Sequence, residues 1–316
     1  MSSSDTARGP KDYVYLVFTG IVMGAADVVP GVSGGTMAFI MGVYQELLDA
    51  IRSVDLKVAR LALRLRIREI LEVVPWKFLL ALGSGILAAG LTLAGVVSWL
   101  LEHQPVYLYS LFFGLVLASV VAIGTQVRWS TGAVLTMLFG TALAWWIVGL
   151  VPLQMPHDPL TVFLSASVTI TAMILPGISG SLILLILGQY EYILNAVKSL
   201  DIVTLIPFVL GLIVGLASFA RVLGWLLRTY RQRTITLLVG FMIGSLRKIW
   251  PFKETLETMV DRHGEVVPLL ERNVAPELGP TLWLCIGLSV LGFVLIRFLT
   301  LLQASRPGFA AGETDG

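Results

Sequence analysis

The chain has 316 residues, of which 56% are hydrophobic and only 13% charged. A soluble globular chain carries about a quarter charged residues, so a mean hydropathy of +0.87 excludes an ordinary soluble globule and points to a membrane protein. The net charge of +2 gives no footing for a nucleic-acid partner, and the single cysteine, Cys285, excludes an internal disulfide, a thiolate cluster or a redox pair.

The polar start, Met1 to Asp12, lacks the apolar core of a cleaved signal, so the first apolar run is expected to be retained. That run, 13–51, is interrupted by Pro30-Gly31-Val32-Ser33-Gly34-Gly35. Proline removes a donor and disfavours helix at the preceding residue, and glycine lets the backbone turn sharply. The arms, 14–28 and 36–51, are short for a full crossing each. The simplest reading is a re-entrant helical hairpin; the alternative is one broken helix that crosses once.

Residues 55–73 carry Leu56, Ala59, Leu63, Ile67 and Ile70 at helical spacing, with the arginines mostly on other faces. This suits an amphipathic helix on an anionic cytoplasmic leaflet; an ordinary topology-setting basic loop is the alternative. Spanning helices follow over 78–101, 105–127 and 130–151, each near the length that crosses a hydrocarbon core. A second interrupted region, 160–196, breaks at Pro176-Gly177-Ile178-Ser179-Gly180-Ser181, and spans follow over 204–227, 234–250 and 281–303. The stretch 251–279 reads as a charged loop and 304–316 as a polar cytoplasmic tail.

The two interrupted regions are copies. A shift of 146 positions sets Pro30, Gly31, Ser33, Gly34, Gly42, Tyr44 and Ala50 on Pro176, Gly177, Ser179, Gly180, Gly188, Tyr190 and Ala196. After a small change of register, Trp99, Gly114 and Ser119 fall opposite Trp225, Gly240 and Ser245. The expected fold is therefore an all-α polytopic membrane protein of two repeats, 1–151 and 160–303. Each repeat is a broken re-entrant hairpin plus about three transmembrane helices.

Orientation follows from Lys and Arg in short loops. Arg52, Lys57, Arg60, Arg64, Arg66, Arg68 and Lys77 place the segment after the first hairpin in the cytoplasm, as do Arg128 and the Arg228–Arg233 turn for their loops. The 102–105 turn and 152–159 lie outside. Both termini are then cytoplasmic, and an odd number of crossings separates the copies, which gives them inverted topology. Lys198 and the basic residues of 251–279 fit this assignment least well.

Inverted repeats with broken helices place transporter sites near the membrane midplane. A helix that starts after such a turn aims free N–H groups and the positive end of its dipole at the tip. Ser33, Gly34, Gly35 and Thr36 are therefore expected to present hydroxyls and amides to an anion, with Ser179, Gly180 and Ser181 opposite them; phosphate is the natural guest. The alternative is that these serines only cap helices. Asp27, beside the first tip, reads as a proton or cation site, or as an acceptor tying the tip down. Arg221 reads as a counter-charge for the anion or as a side chain snorkelling to the interface. Tyr44 and Tyr190 are expected as gate residues or interface anchors. His103, His157 and His263 have no metal-ligand spacing, so neither metal nor cofactor is expected.

The run from Gly24 through Asp27, Pro30 and Ser33 to Thr36, followed by Gly42-Val43-Tyr44, resembles a bacterial and archaeal membrane family first catalogued as a domain of unknown function. That family is associated with polyprenyl-phosphate transport of the PopT type. The resemblance, which extends over most of 13–303, implies a flippase in the cell membrane. Its implied task is to return undecaprenyl phosphate from the outer to the cytoplasmic leaflet for recycling in envelope synthesis. A membrane polyprenyl-pyrophosphate phosphatase is the sharpest competitor, because those enzymes share inverted repeats and a Pro-Gly-x-Ser-Arg-Ser turn. Here Gly34 and Gly180 stand where that arginine would be. A small-anion channel or ion-coupled permease is the third class.

Overall fold

The computed structural model describes residues 8–28, 32–150, 153, 155–260 and 266–304. Pro30, Gly31, Pro152 and the tail beyond 304 lie outside the described residues, so half of the first turn is known only through its flanks.

The first interrupted region forms α1 (Pro10–Val28), α2 (Gly34–Ile40) and α3 (Tyr44–Ser53). The second forms α10 (Pro159–Ile174), α11 (Gly180–Ile186) and α12 (Tyr190–Ser199). In each, the helix after the Pro-Gly turn packs back on the one before it, as a hairpin does. The returning arm is then broken a second time. Gly42 and Gly188, equivalent in the two copies, adopt φ of 69° and 66°. A side chain rarely tolerates that conformation, so each glycine ends a seven-residue helix, and α12 leaves α11 at 109°.

The basic segment is two helices and not the single one expected: α4 (Leu56–Leu63) and α5 (Ile67–Val73). Leu65, at φ 53°, separates them. Leu65, Ile67, Leu71 and Val73 are all exposed, an apolar ridge beside Arg64, Arg66 and Arg68.

The expected 78–101 span is α6 (Trp76–Thr92) and α7 (Ala94–His103), joined at Leu93. Then come α8 (Pro105–Gly124) and α9 (Thr131–Ile147). The second copy continues with α13 (Ile202–Thr229), α14 (Arg231–Ser245) and α15 (Pro280–Ala304). Among the described residues three helices, in α8, α13 and α15, are long and apolar enough to cross a membrane alone, or up to five spans if each bent pair counts as one. The protein is a mostly helical, polytopic membrane protein.

Residues 251–279 correct the expectation of a loop. β1 (Lys253–Val260) pairs antiparallel with β2 (Val266–Asn273), setting Lys253 opposite Asn273, with irregular register between Thr255 and Thr258.

Helix partnerships repeat in the order of the copies. α1 packs on α6 as α10 packs on α13, and α9 packs on α14 as α15 packs on α8. Several close approaches fall on equivalent positions. A Cβ at Gly85 would run into the Val17 carbonyl, and one at Gly211 into that of Phe163. Likewise Gly114 faces the Ser289 carbonyl and Gly240 that of Met137. Val17 and Phe163 correspond under the shift that aligns the two turns, and Gly85 and Gly211 under the one that aligns Trp99 with Trp225. Small residues let backbones approach where lipid offers no hydrophobic drive to bring helices together. Both copies use this device at the same places.

Candidate functional site

Pro176 ends α10 and leaves its last-turn carbonyls without intrahelical partners. The first tip meets them. Ser33 Oγ lies 3.2 Å from Met173 O and 3.5 Å from Leu175 O. Tyr44 Oη donates to Ile174 O at 2.9 Å. Gly35 rests directly on that chain, because a Cβ there would come within 2.7 Å of Ile174 O.

The contact is returned from the second turn. Gly177, at φ 94°, donates its amide to Thr36 Oγ1 at 2.9 Å. A Cβ at Gly177 would come 2.9 Å from Met242 Cα on α14, so only glycine both turns here and fits. The start of α2 and the end of α10 with its Pro176-Gly177 turn thus interlock. Ser33, Gly34, Gly35 and Thr36 are all buried.

The amides of α2 are used internally. Gly34 N donates to Asp27 Oδ1 at 2.6 Å, and Gly35 N to Ser33 Oγ at 3.1 Å. Asp27 therefore supplies the acceptor at this helix start and ties the tip down.

The second tip differs. Ser179 is the N-cap of α11 but its side chain caps none of the helix amides; its Oγ pairs instead with Ser181 Oγ at 2.8 Å. Gly180 faces Thr169, whose buried Oγ1 has no partner among the described residues. The copies diverge at the residues that lock the first tip: Met173 stands opposite Asp27, and Leu182 opposite Thr36. Tyr44 is 4% exposed and hydrogen-bonded, whereas Tyr190 is 40% exposed. One tip is bolted to α10, and the other keeps two hydroxyls that, among the described residues, bond only each other.

Arg221 is exposed, and its Nη1 donates to Ala217 O at 3.0 Å. Its charge joins the Val58 and Lys57 amides in holding the Asp55 carboxyl below its ordinary range, the Val58 hydrogen bond being the largest cause. Arg221 thus acts electrostatically on the α3–α4 connection. Among the described residues no group of three or more His, Cys, Asp or Glu side chains could hold a metal.

Sequence reasoning missed a cationic cluster at the base of the β-hairpin. Lys253 Nζ pairs with Glu271 at 3.1 Å, and Lys248 Nζ lies 3.7 Å from the same oxygen. Lys253 also sits 4.6 Å above the Tyr109 ring. Tyr109 and Glu271 lie far from the two lysines along the chain, and only the fold brings them together. Arg8 and Glu46, bonded at 2.5 and 2.6 Å, are a second pairing that spacing did not suggest.

A family model described as undecaprenyl phosphate translocase-like matches residues 23–267. The chain is 43% identical over 266 residues to a polyprenyl-phosphate transporter of Vibrio cholerae, covering 84% of this chain and 86% of that protein. It is 26% identical over 258 residues to a polyprenyl-phosphate transporter of Staphylococcus aureus, covering 74% and 85%. No solved structure matches the chain.

Proposed function

The chain belongs to the undecaprenyl phosphate translocase-like family, and from that membership we propose that it transports polyprenyl phosphate across a bacterial or archaeal cell membrane. The observation that carries this is the 43% identity, over most of both chains, to the Vibrio cholerae polyprenyl-phosphate transporter. The direction proposed is from the outer to the cytoplasmic leaflet, with both termini cytoplasmic, so that the carrier lipid is recovered for envelope synthesis.

Mechanistically, the two hairpins act as inverted, pseudosymmetric halves that expose one phosphate site alternately to each leaflet. The repeated helix partnerships support this reading. In the interlocked state the first tip is closed on α10. Opening the interlock frees the Ser33 and Thr36 hydroxyls, and turning Ser33 Oγ toward the head group then releases the Gly35 amide, while Ser179, Gly180 and Ser181 offer hydroxyls and amides from the other side. Fixed dipoles then replace water around the head group, and the tail stays in lipid. A proton is the proposed coupling ion. When Asp27 takes it up, the charge that holds the Gly34 amide is lost, and the tip is released.

The test is reconstitution into liposomes with fluorescent polyprenyl phosphate, scoring leaflet exchange and phosphate release separately. Exchange without release is expected. Release without exchange would make the protein a phosphatase, and flux of chloride or inorganic phosphate alone would make it a channel.

A further inference from the structure

Between α8 and α15, beneath the β-hairpin, lies a cavity of about 300 Å³, at the lower end of the range for small-molecule sites. Its wall is almost wholly apolar. Phe113, Trp250, Phe252 and Phe293 line it, and the small Gly114 and Cys285 leave it room. Trp250 is fixed by an edge contact with Phe113, with ring centroids 5.5 Å apart, and by donating Nε1–H to Val274 O at 3.0 Å. Leu117, Ile286 and Val290 also line the cavity and are exposed on the outer face of the bundle. The groove therefore opens sideways, toward lipid.

The hairpin end of this groove is positively charged. Tyr109 stands one helical turn from Phe113 on α8, and Lys253, adjacent to Phe252, lies over its ring. Among the described residues, two ammoniums, Lys248 and Lys253, share one carboxylate, Glu271. The Lys253 side chain is only 10% exposed. Burial pushes its pKa below the ordinary lysine value, against the opposing pull of Glu271. A second anion brought to this rim would balance the excess positive charge and return Lys253 toward its ordinary range.

Resting on the transport reading above, we propose that this groove is a holding site for the lipid substrate outside the central tips. A segment of the isoprenoid tail lies between α8 and α15, and the phosphate sits at Lys253 and Lys248. The apolar slot takes a hydrocarbon chain and the cationic rim takes an anionic head. Their adjacency selects a single-chain lipid phosphate over a free phosphate ion or an uncharged lipid.

The test uses the full-length protein in lipid nanodiscs and a farnesyl phosphate bearing a benzophenone at its tail end, with the matching uncharged alcohol as comparison. After irradiation, adducts are mapped by mass spectrometry. Adducts are expected within residues 110–117 and 282–293. They should fall about tenfold for the alcohol and for the Lys248→Met/Lys253→Met double variant, the effect of losing a charge-assisted hydrogen bond. Val290→Trp, which fills the mouth from the lipid side, should abolish them, and Leu117→Trp serves the same end from α8 should the first variant not fold. Equal labelling by the alcohol, or adducts that fall elsewhere, would overturn the proposal. Exchange by the wild type in liposomes is scored independently. Groove adducts without exchange would sink the transport reading and leave a lipid-phosphate site, whereas exchange without groove adducts would sink only this site.

Discussion

The Gly177 amide donates to the Thr36 hydroxyl across 2.9 Å, joining the second turn to the start of α2, 141 residues away in sequence. Both groups are buried, so the bond has no competition from water in the closed state. Thr36→Val keeps the shape and removes the acceptor, stranding a buried N–H. The expected loss is about 1–3 kcal/mol of stability, read as a lowered thermal transition of the purified protein. Thr36→Ser should restore most of it.

Tyr44 and Tyr190 occupy equivalent positions and serve different ends. Tyr44→Phe deletes the bond to Ile174 O and should cost about 0.5–1.5 kcal/mol. Tyr190→Phe, at an exposed ring, should leave the transition within experimental error. Equal effects from the two changes would show that the asymmetry between the tips does not bear on stability.

The helix crossings should be intolerant of a single methyl group at specific glycines. Gly85→Ala places Cβ against the Val17 carbonyl and should destabilise by about 1–3 kcal/mol. Gly83→Ala, two residues earlier on the same helix, meets open space and should be neutral or slightly stabilising. Thermal unfolding of the pair checks this.

Asp158 and Asp201 cap α10 and α13 from outside the spans. Hydrogen bonds from the Thr161 and Thr204 hydroxyls, foremost, hold their carboxyls below the ordinary 3.8. A depressed carboxylate contributes stability that is present above its unfolded value and lost as pH falls through its folded one. Hydrogen exchange at the Leu160 and Thr161 amides, corrected for intrinsic rates, should therefore show protection that is steady above about pH 4 and declines below it. Asp158→Asn should remove that dependence.

Much of this was legible in the sequence because it depends on local backbone chemistry. Proline and glycine announced both turns, and apolar length announced α8, α13 and α15. Gly42 and Gly188 were visible as a repeated pair, but their meaning was not. A glycine within an apolar run says nothing about the sign of φ, so the second bend was missed. The same holds for Leu65, where no glycine marks the break. The β-hairpin escaped because its strands are charged and short. The lock on the first tip was half visible: Asp27 has no acidic counterpart at Met173. What that difference does depends on which carbonyls of α10 come within reach, and spacing along one chain carries no such information.

The most direct test of the central claim is the rate at which fluorescent polyprenyl phosphate changes leaflets in liposomes bearing the wild type or the Ser179→Ala/Ser181→Ala double variant. The hydroxyls at stake bond only each other, so the variant should fold with an unchanged thermal transition. The account predicts rapid exchange by the wild type and a rate about tenfold or more lower for the variant, the loss of hydrogen bonds to a charged head group. Equal exchange by both proteins would contradict it.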